Sequence, residues 1–381
     1  MPVALCFLLA VLVILPLSAA TRARDLGVPF DGTPGPLNAI TDVPGIEVGH
    51  TTLISGEGKQ AVRTGVTAVW PRGKQSVTPS FAGWFSLNGN GEMTGTTWIE
   101  ESGFLTTPVM ITNTHSVGLV RDSYIKWQVG RTAVNSPAGE WSLPVVAETW
   151  DGFLNDVNGF HVQELDVVKA LEGARSGPVA EGNVGGGTGM VCYGFKGGIG
   201  TASRVVDNYT VGVLVQCNCG RRPQLTIAGV PVGREIPEGV PYARDYRHSG
   251  EDVGSIIIVV ATDAPLLPHQ LKRLARRASL GLARTGSVSG NGSGDIFIAF
   301  STANAQAGRT SGVVDLAMLP NDGMNHIFEA TVQSVEEAIV NALVGAETMT
   351  GYDGRKVIAL PHDRLQQALG KYNAQQHPTV K

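Results

Sequence analysis

The chain has 381 residues, a net charge of −4 and 16% charged residues, well below the roughly 25% of an average soluble domain. Its 49 glycines and 6% aromatics fit a large, mostly buried, turn-rich α/β body of one large or two ordinary domains. They exclude a nucleic-acid or anionic-membrane surface, since no basic cluster interleaves with aromatics. Residues 1–20 carry no charged side chain, and residues 5–15 are an unbroken apolar run. Pro16-Leu17-Ser18-Ala19-Ala20 then supplies a small-residue cleavage site. The run is short of the roughly 20 residues that span a bilayer. It reads as a secretory signal cut after Ala20, so residues 21–381 are expected as a single mature domain, periplasmic or secreted, with no membrane contact once the signal is gone. Cys6 leaves with the signal. The remaining Cys192, Cys217 and Cys219 are an odd set and no disulfide framework. Cys217 and Cys219 read as small core hydrophobes, and a bridge from Cys192 to one of them is the minor alternative.

Taken in order, residues 21–45 are turn-rich, with Asp31-Gly32-Thr33-Pro34-Gly35 and Asp42-Val43-Pro44-Gly45 as β-turn signals. Residues 46–51 and 65–71 predict two strands, the second stopped by Pro71. Residues 81–93, rich in Gly and Asn, predict a loop anchored by Phe81, Trp84 and Phe85. Residues 109–118 predict a short buried strand running into polar residues. From Val117 the spacing of Leu119, Val120, Tyr124, Ile125 and Trp127 predicts a helix. Residues 144–152 predict another strand that empties into a polar turn. Glu148 lies inside it, and a carboxylate there is costly unless it is paired or faces water. Residues 161–174 are helical by spacing.

Gly182-Asn183-Val184-Gly185-Gly186-Gly187-Thr188-Gly189 has the look of a phosphate loop. It lacks the Gly-Lys-Ser/Thr end of a Walker motif and an acidic ribose anchor, so its glycines are better explained by close backbone approach. Residues 197–204 continue this theme. Residues 209–220 predict a strand whose end carries Asn218, and residues 221–252 are loop-like. Next comes Gly254-Ser255 and the β-branched run Ile256-Ile257-Ile258-Val259-Val260. A run of that kind predicts a strand buried on both faces, with Ser255 at its mouth. Residues 267–283 predict an amphipathic helix opened by Pro268, its Lys272, Arg273, Arg276 and Arg277 forming a solvated face. Ser289-Gly290-Asn291-Gly292-Ser293-Gly294-Asp295 predicts a tight turn into a core strand over 296–302. A helix over 332–348, a short strand over 357–360 and a frayed polar tail from Asn373 complete the chain. Buried strands interleaved with helices indicate a layered α/β or α+β body.

Hydrolysis without a metal needs a nucleophile, a base and oxyanion donors. No cofactor or metal is called for, since neither CxxC nor a Cys/His zinc spacing is present. The histidines sit in no GxSxG or other triad context. His50, His115 and His161 are candidates but each fits a structural, hydrogen-bonded role. If Ser255 is a nucleophile, its base must be something else. One solution is to cleave the bond before the serine and free its α-amine. That amine has a pKa near 7.7–8.0, well placed to take a proton.

These segments together resemble the DmpA/BapA family, the L-aminopeptidase D-amidase/D-esterases and β-aminopeptidases (a P1-like peptidase family). The resemblance rests on Gly254-Ser255-Ile256-Ile257-Ile258-Val259-Val260-Ala261-Thr262-Asp263-Ala264-Pro265, on the Gly182–189 run, and on Phe195-Lys196-Gly197-Gly198-Ile199-Gly200-Thr201-Ala202-Ser203-Arg204. It extends over residues 24–360. It implies a four-layer αββα sandwich like that of the N-terminal nucleophile hydrolases but differently connected. It also implies self-cleavage between Gly254 and Ser255, giving an α chain of residues 21–254 and a β chain of residues 255–381. By the same resemblance Ser293 and Asp295 hold and activate Ser255, and Asn218 donates to the oxyanion. Glu148 then neutralises the substrate's free ammonium. Family β-aminopeptidases carry Glu where this chain has Asp295, and the family has a site tyrosine near the Glu148 segment, where this chain has Trp150 and Phe153. The implied partners are short peptides or amino-acid amides and esters with a free amine, and other copies of the αβ unit in a homo-oligomer. Two rivals stand beside this reading. One is an ornithine-acetyltransferase-like acyltransferase, whose threonine nucleophile is missing from this strand. The other is a non-catalytic periplasmic binding protein.

Overall fold

A computed structural model describes residues 21–131, 141–241 and 254–376. The expected export signal, residues 1–20, lies outside the described residues. The strands are β1 (Glu47–Ser55), β2 (Val62–Trp70), β3 (Ser80–Ser86), β4 (Phe104–Leu105), β5 (Val109–Asn113), β6 (Val145–Thr149), β7 (Val191–Cys192), β8 (Phe195–Lys196), β9 (Gly198–Val206), β10 (Tyr209–Asn218), β11 (Ser255–Thr262) and β12 (Gly294–Ser301). Two further short strands, β13 (Met349–Thr350) and β14 (Lys356–Val357), pair with each other. The helices are α1 (Thr96–Ser102), α2 (Val117–Arg131), α3 (Glu164–Glu172), α4 (Val232–Glu235), α5 (Pro268–Arg284), α6 (Met324–Val344) and α7 (His362–Gln376).

Two sheets carry the fold, a four-stranded one in the order β1-β2-β5-β6 and a six-stranded one in the order β4-β3-β12-β11-β10-β9. Strand β11 shows why they stack. Its side chains alternate between faces with a period of two. Ile256, Ile258 and Val260 pack in one cluster with Leu271 and Leu274 of α5 and Val335 and Ile339 of α6. Ile257, Val259 and Ala261 pack in another, against Val69, Ile111 and Ala147 of the smaller sheet. The outer face of that smaller sheet buries Val66, Met110 and Val146 under Val120 and Tyr124 of α2 and Val167 and Leu171 of α3. Helix, sheet, sheet and helix therefore form the four layers expected, and β11 is buried on both faces because it is central to the larger sheet.

Several expectations are corrected. Residues 81–86 are part of strand β3, not an aromatic loop, and pair antiparallel with β12. Residues 198–206 are strand β9; its Gly200 is required because an added Cβ would sit 2.0 Å from the Ala338 carbonyl oxygen on α6. The helix expected from 332 begins eight residues earlier, at Met324. Asn373 lies within α7 and not in a frayed tail. Cys192 and Cys217 are joined by a disulfide, so the minor alternative holds. Cys219 stays outside the bridge, with its sulfur 3.9 Å from that of Cys217.

Candidate active site

Pairing of the central strands assembles the site. Strand β11 runs antiparallel to β10 with Asn218 opposite Ser255, and parallel to β12 with Gly294 beside Ser255. Directly opposed residues of an antiparallel pair project from the same face. Asn218 and Ser255 therefore share one end of the larger sheet, and both are nearly buried, at 5% and 6% exposure. The Ser255 hydroxyl oxygen accepts a hydrogen bond from the Gly294 N–H at 3.1 Å. This leaves the hydroxyl's own proton available for transfer.

The turn before β12 closes on the peptide bond preceding Ser255. The Ser293 hydroxyl donates to the Gly254 carbonyl, and it also lies 3.1 Å from Asp295 Oδ1. The carboxylate thus reaches Ser293 although it is one methylene shorter than the family's Glu. Asp295 is fully buried, and its N–H donates to Asn88 Oδ1 at 2.7 Å. Asn88 in turn donates to the carbonyls of Ser289 and Gly290, and Asn90 to that of Gly292. The Asn-rich loop after β3 and the turn before β12 thereby lock together. Gly254 is needed for close approach: a Cβ there would lie 2.6 Å from Cys219 Cα and 2.7 Å from the Asn218 carbonyl oxygen.

The Asn218 amide is held at both ends. Its Oδ1 accepts from the Val191 N–H at 2.8 Å, and its Nδ2 donates to the Trp150 carbonyl at 3.0 Å. An amide nitrogen carries two hydrogens, so one remains for a ligand at Ser255. A cavity of about 680 Å³ opens beside Ser255, lined by Gly91, Thr114, Glu148, Trp150 and Gly292 among others. Glu148 stands on β6 of the other sheet and is buried, not on a wet face. Its carboxylate accepts from the Glu92 N–H at 3.0 Å and from the Thr114 hydroxyl. Burial raises its pKa above the usual carboxylate value, against the opposing pull of those two bonds. Trp150, 40% exposed, also borders a second cavity of about 520 Å³ with Val191, Asn218 and Gly254. Phe153 packs instead with Leu154, Val191 and Met349.

The three candidate histidines are structural. His50 bonds the Thr67 hydroxyl at 2.9 Å, and burial lowers its pKa to about 4. His115 stacks on Phe160, and His161 bonds Asp156. None of them lines the Ser255 cavity. Sequence reasoning found Ser255, Ser293, Asp295, Asn218, Glu148 and Trp150, and the fold brings all six to one place. It missed Asn88 and Thr114. Their only signal was position, in a polar turn and at a strand end.

The four-layer arrangement of the two sheets and their helices is that of the Ntn hydrolase fold. Residues 38–357 match Peptidase family S58, and the chain belongs to that family. It is 57% identical over 369 residues to the beta-peptidyl aminopeptidase BapA of Sphingosinicella microcystinivorans, covering 92% of each chain. It is 51% identical to the BapA of Sphingosinicella xenopeptidilytica, covering 91% of this chain and 90% of that one. Its structure is similar to the L-aminopeptidase D-Ala-esterase/amidase of Ochrobactrum anthropi, a variant of the Ntn hydrolase fold. That match has a TM-score of 0.86 at 51% identity and covers 92% of this chain and 99% of that one. A Burkholderia β-aminopeptidase matches with a TM-score of 0.82 at 48% identity, over 92% and 99%.

Proposed function

We propose that this peptidase is an exported β-peptidyl aminopeptidase that matures by cutting its own Gly254–Ser255 bond and then works through an acyl-enzyme on Ser255. The observation that carries the reading is that Ser255 and the buried Glu148 line one cavity, while the Ser293 hydroxyl donates to the Gly254 carbonyl just before Ser255. In maturation the Ser255 oxygen attacks the Gly254 carbonyl carbon. The C–N bond breaks, its nitrogen takes up the hydroxyl proton, and an ester forms. Water then hydrolyses the ester, leaving a Gly254 carboxylate and a Ser255 with both hydroxyl and α-amine free.

In turnover that amine takes the hydroxyl proton as the oxygen attacks the substrate carbonyl. The oxyanion accepts from Asn218 Nδ2, a contact worth roughly 2.7–4 kcal/mol in the transition state. The proton passes to the departing amine, and water releases the acyl group by the same route. Glu148 anchors the substrate's ammonium, which restricts the enzyme to a free N-terminus. The names of the two BapA relatives favour a β-amino acid as the residue released. Export rests on the apolar residues 5–15, and assembly of αβ units into an oligomer on the family resemblance.

The test is a denaturing gel with N-terminal sequencing of the smaller band, which should begin Ser-Ile-Ile-Ile, beside turnover of a β-alanyl p-nitroanilide. Ser255→Ala should remain one chain and be inactive. Two fragments and turnover from that variant would sink the proposal.

A further inference from the structure

Lys196 is fully buried and takes no part in the chemistry above. Its ammonium donates to the carbonyls of Met190 at 2.9 Å, Gly197 at 2.8 Å and Gly187 at 3.4 Å. An ammonium has three hydrogens, so the three carbonyls use its whole capacity. No carboxylate lies within ion-pair distance of it among the described residues. Burying a charge in this way carries a large desolvation penalty. Burial also pulls the pKa down to about 7, against the attraction of Asp151. A methionine or leucine would fill the same space without that cost. The bonds to the glycine-rich segment therefore need an explanation.

The Met190 carbonyl supplies it. That oxygen belongs to the same planar peptide unit as the Val191 N–H, and in a trans unit the two point in opposite directions. One end of the unit is held by Lys196, and by the Gly197 N–H at 3.0 Å. The other end is the N–H that holds Asn218 Oδ1. If this unit turned over, it would present a carbonyl to Asn218. The amide would then rotate to donate to it, and its Nδ2 hydrogens would turn away from Ser255, which stands opposite Asn218 in the sheet.

We propose that Lys196 is a positioning residue for the oxyanion donor, acting through the Met190–Val191 peptide on Asn218. The proposal rests on reading Asn218 as that donor. It concerns kcat and not substrate anchoring, because Glu148 is held by Glu92 and Thr114, which belong to other segments.

The experiment is a double-mutant cycle on processed enzyme with the β-alanyl p-nitroanilide, comparing wild type, Lys196→Met, Asn218→Ala and the pair, with rates counted per cleaved chain. Losing a whole oxyanion donor costs about 10²–10³ in kcat, so misaiming it through Lys196→Met should cost about 10- to 100-fold, with KM within about threefold. In the Asn218→Ala background the same change should cost no more than about threefold, since there is no donor left to aim. Lys196→Gln, which keeps two donors, should recover part of the loss and serves if the methionine variant does not fold. The proposal is overturned if a folded Lys196 variant keeps wild-type kcat. It is equally overturned if Lys196→Met costs the same factor in both backgrounds, which is the mark of a general packing role. If Asn218→Ala itself turns over at the wild-type rate, the reading of Asn218 falls and takes this proposal with it, whereas a slow Asn218→Ala beside a fast Lys196→Met removes only the role of Lys196.

Discussion

Ser293→Ala should slow self-cleavage without unfolding the chain. In the intact chain the Ser293 hydroxyl donates to the carbonyl that Ser255 must attack. As the tetrahedral intermediate forms, that oxygen takes up negative charge, and one donor aimed at it is worth about 3 kcal/mol. The same bond also stabilises the ground state, by about 1 kcal/mol. Only the difference lowers the barrier, so about 2 kcal/mol is lost, or about 30-fold in rate. Losing one hydroxyl from a buried site beside Asp295 should not prevent folding. The assay is a time course of freshly translated chain on a denaturing gel, following conversion of the intact band to two fragments. Ser293→Thr keeps a hydroxyl and should process faster than the alanine variant. If Ser293→Ala matures with the wild-type half-time, the hydroxyl is not stabilising the oxyanion and the proposed maturation chemistry is wrong.

Glu148→Gln should raise KM about 10- to 100-fold while leaving kcat nearly unchanged, since a hydrogen bond to a charged group is worth about 1.5–3 kcal/mol. The anchoring form is the carboxylate, and its pKa is raised by burial. Wild-type KM should therefore climb as pH falls through a point above the usual carboxylate range, and the glutamine variant should lose that limb. A wild-type KM flat across the acid range would contradict the anchoring role. Gly294→Ala should damage both maturation and stability, because its Cβ would fall 2.4 Å from the Asn90 carbonyl oxygen and 2.7 Å from Gly91 Cα. Overpacking of this kind costs about 1–3 kcal/mol. Gly118→Ala on α2, where an added Cβ would meet no neighbouring segment within 4 Å among the described residues, is the control and should hold or raise the melting temperature.

What the residues determined unaided was whatever local chemistry dictates. The β-branched run of β11 can only be a buried strand. The apolar spacing of α2 and α5 is helical whatever packs against it. The catalytic-looking set was legible through the family resemblance, which residues 254–265, 182–189 and 195–204 carry together and not through any of its members read alone. Glycine-rich strands were not legible. Ser80–Ser86 and Gly198–Val206 carry glycines that weaken any strand signal, and at Gly200 the reason for the glycine is a helix 138 residues further on, at Ala338. The cysteine pairing was open for the same reason: three cysteines do not say which two meet, and the packing of β7 against β10 does. The tertiary structure also decided how the site is held. Thr114 on Glu148, Asn88 on Asp295 and Val191 on Asn218 are contacts between segments 34 to 207 residues apart in two cases and 27 in the third. No local pattern encodes such contacts, because a hydrogen bond's geometry is set by where the backbones finish and not by the residues that flank it.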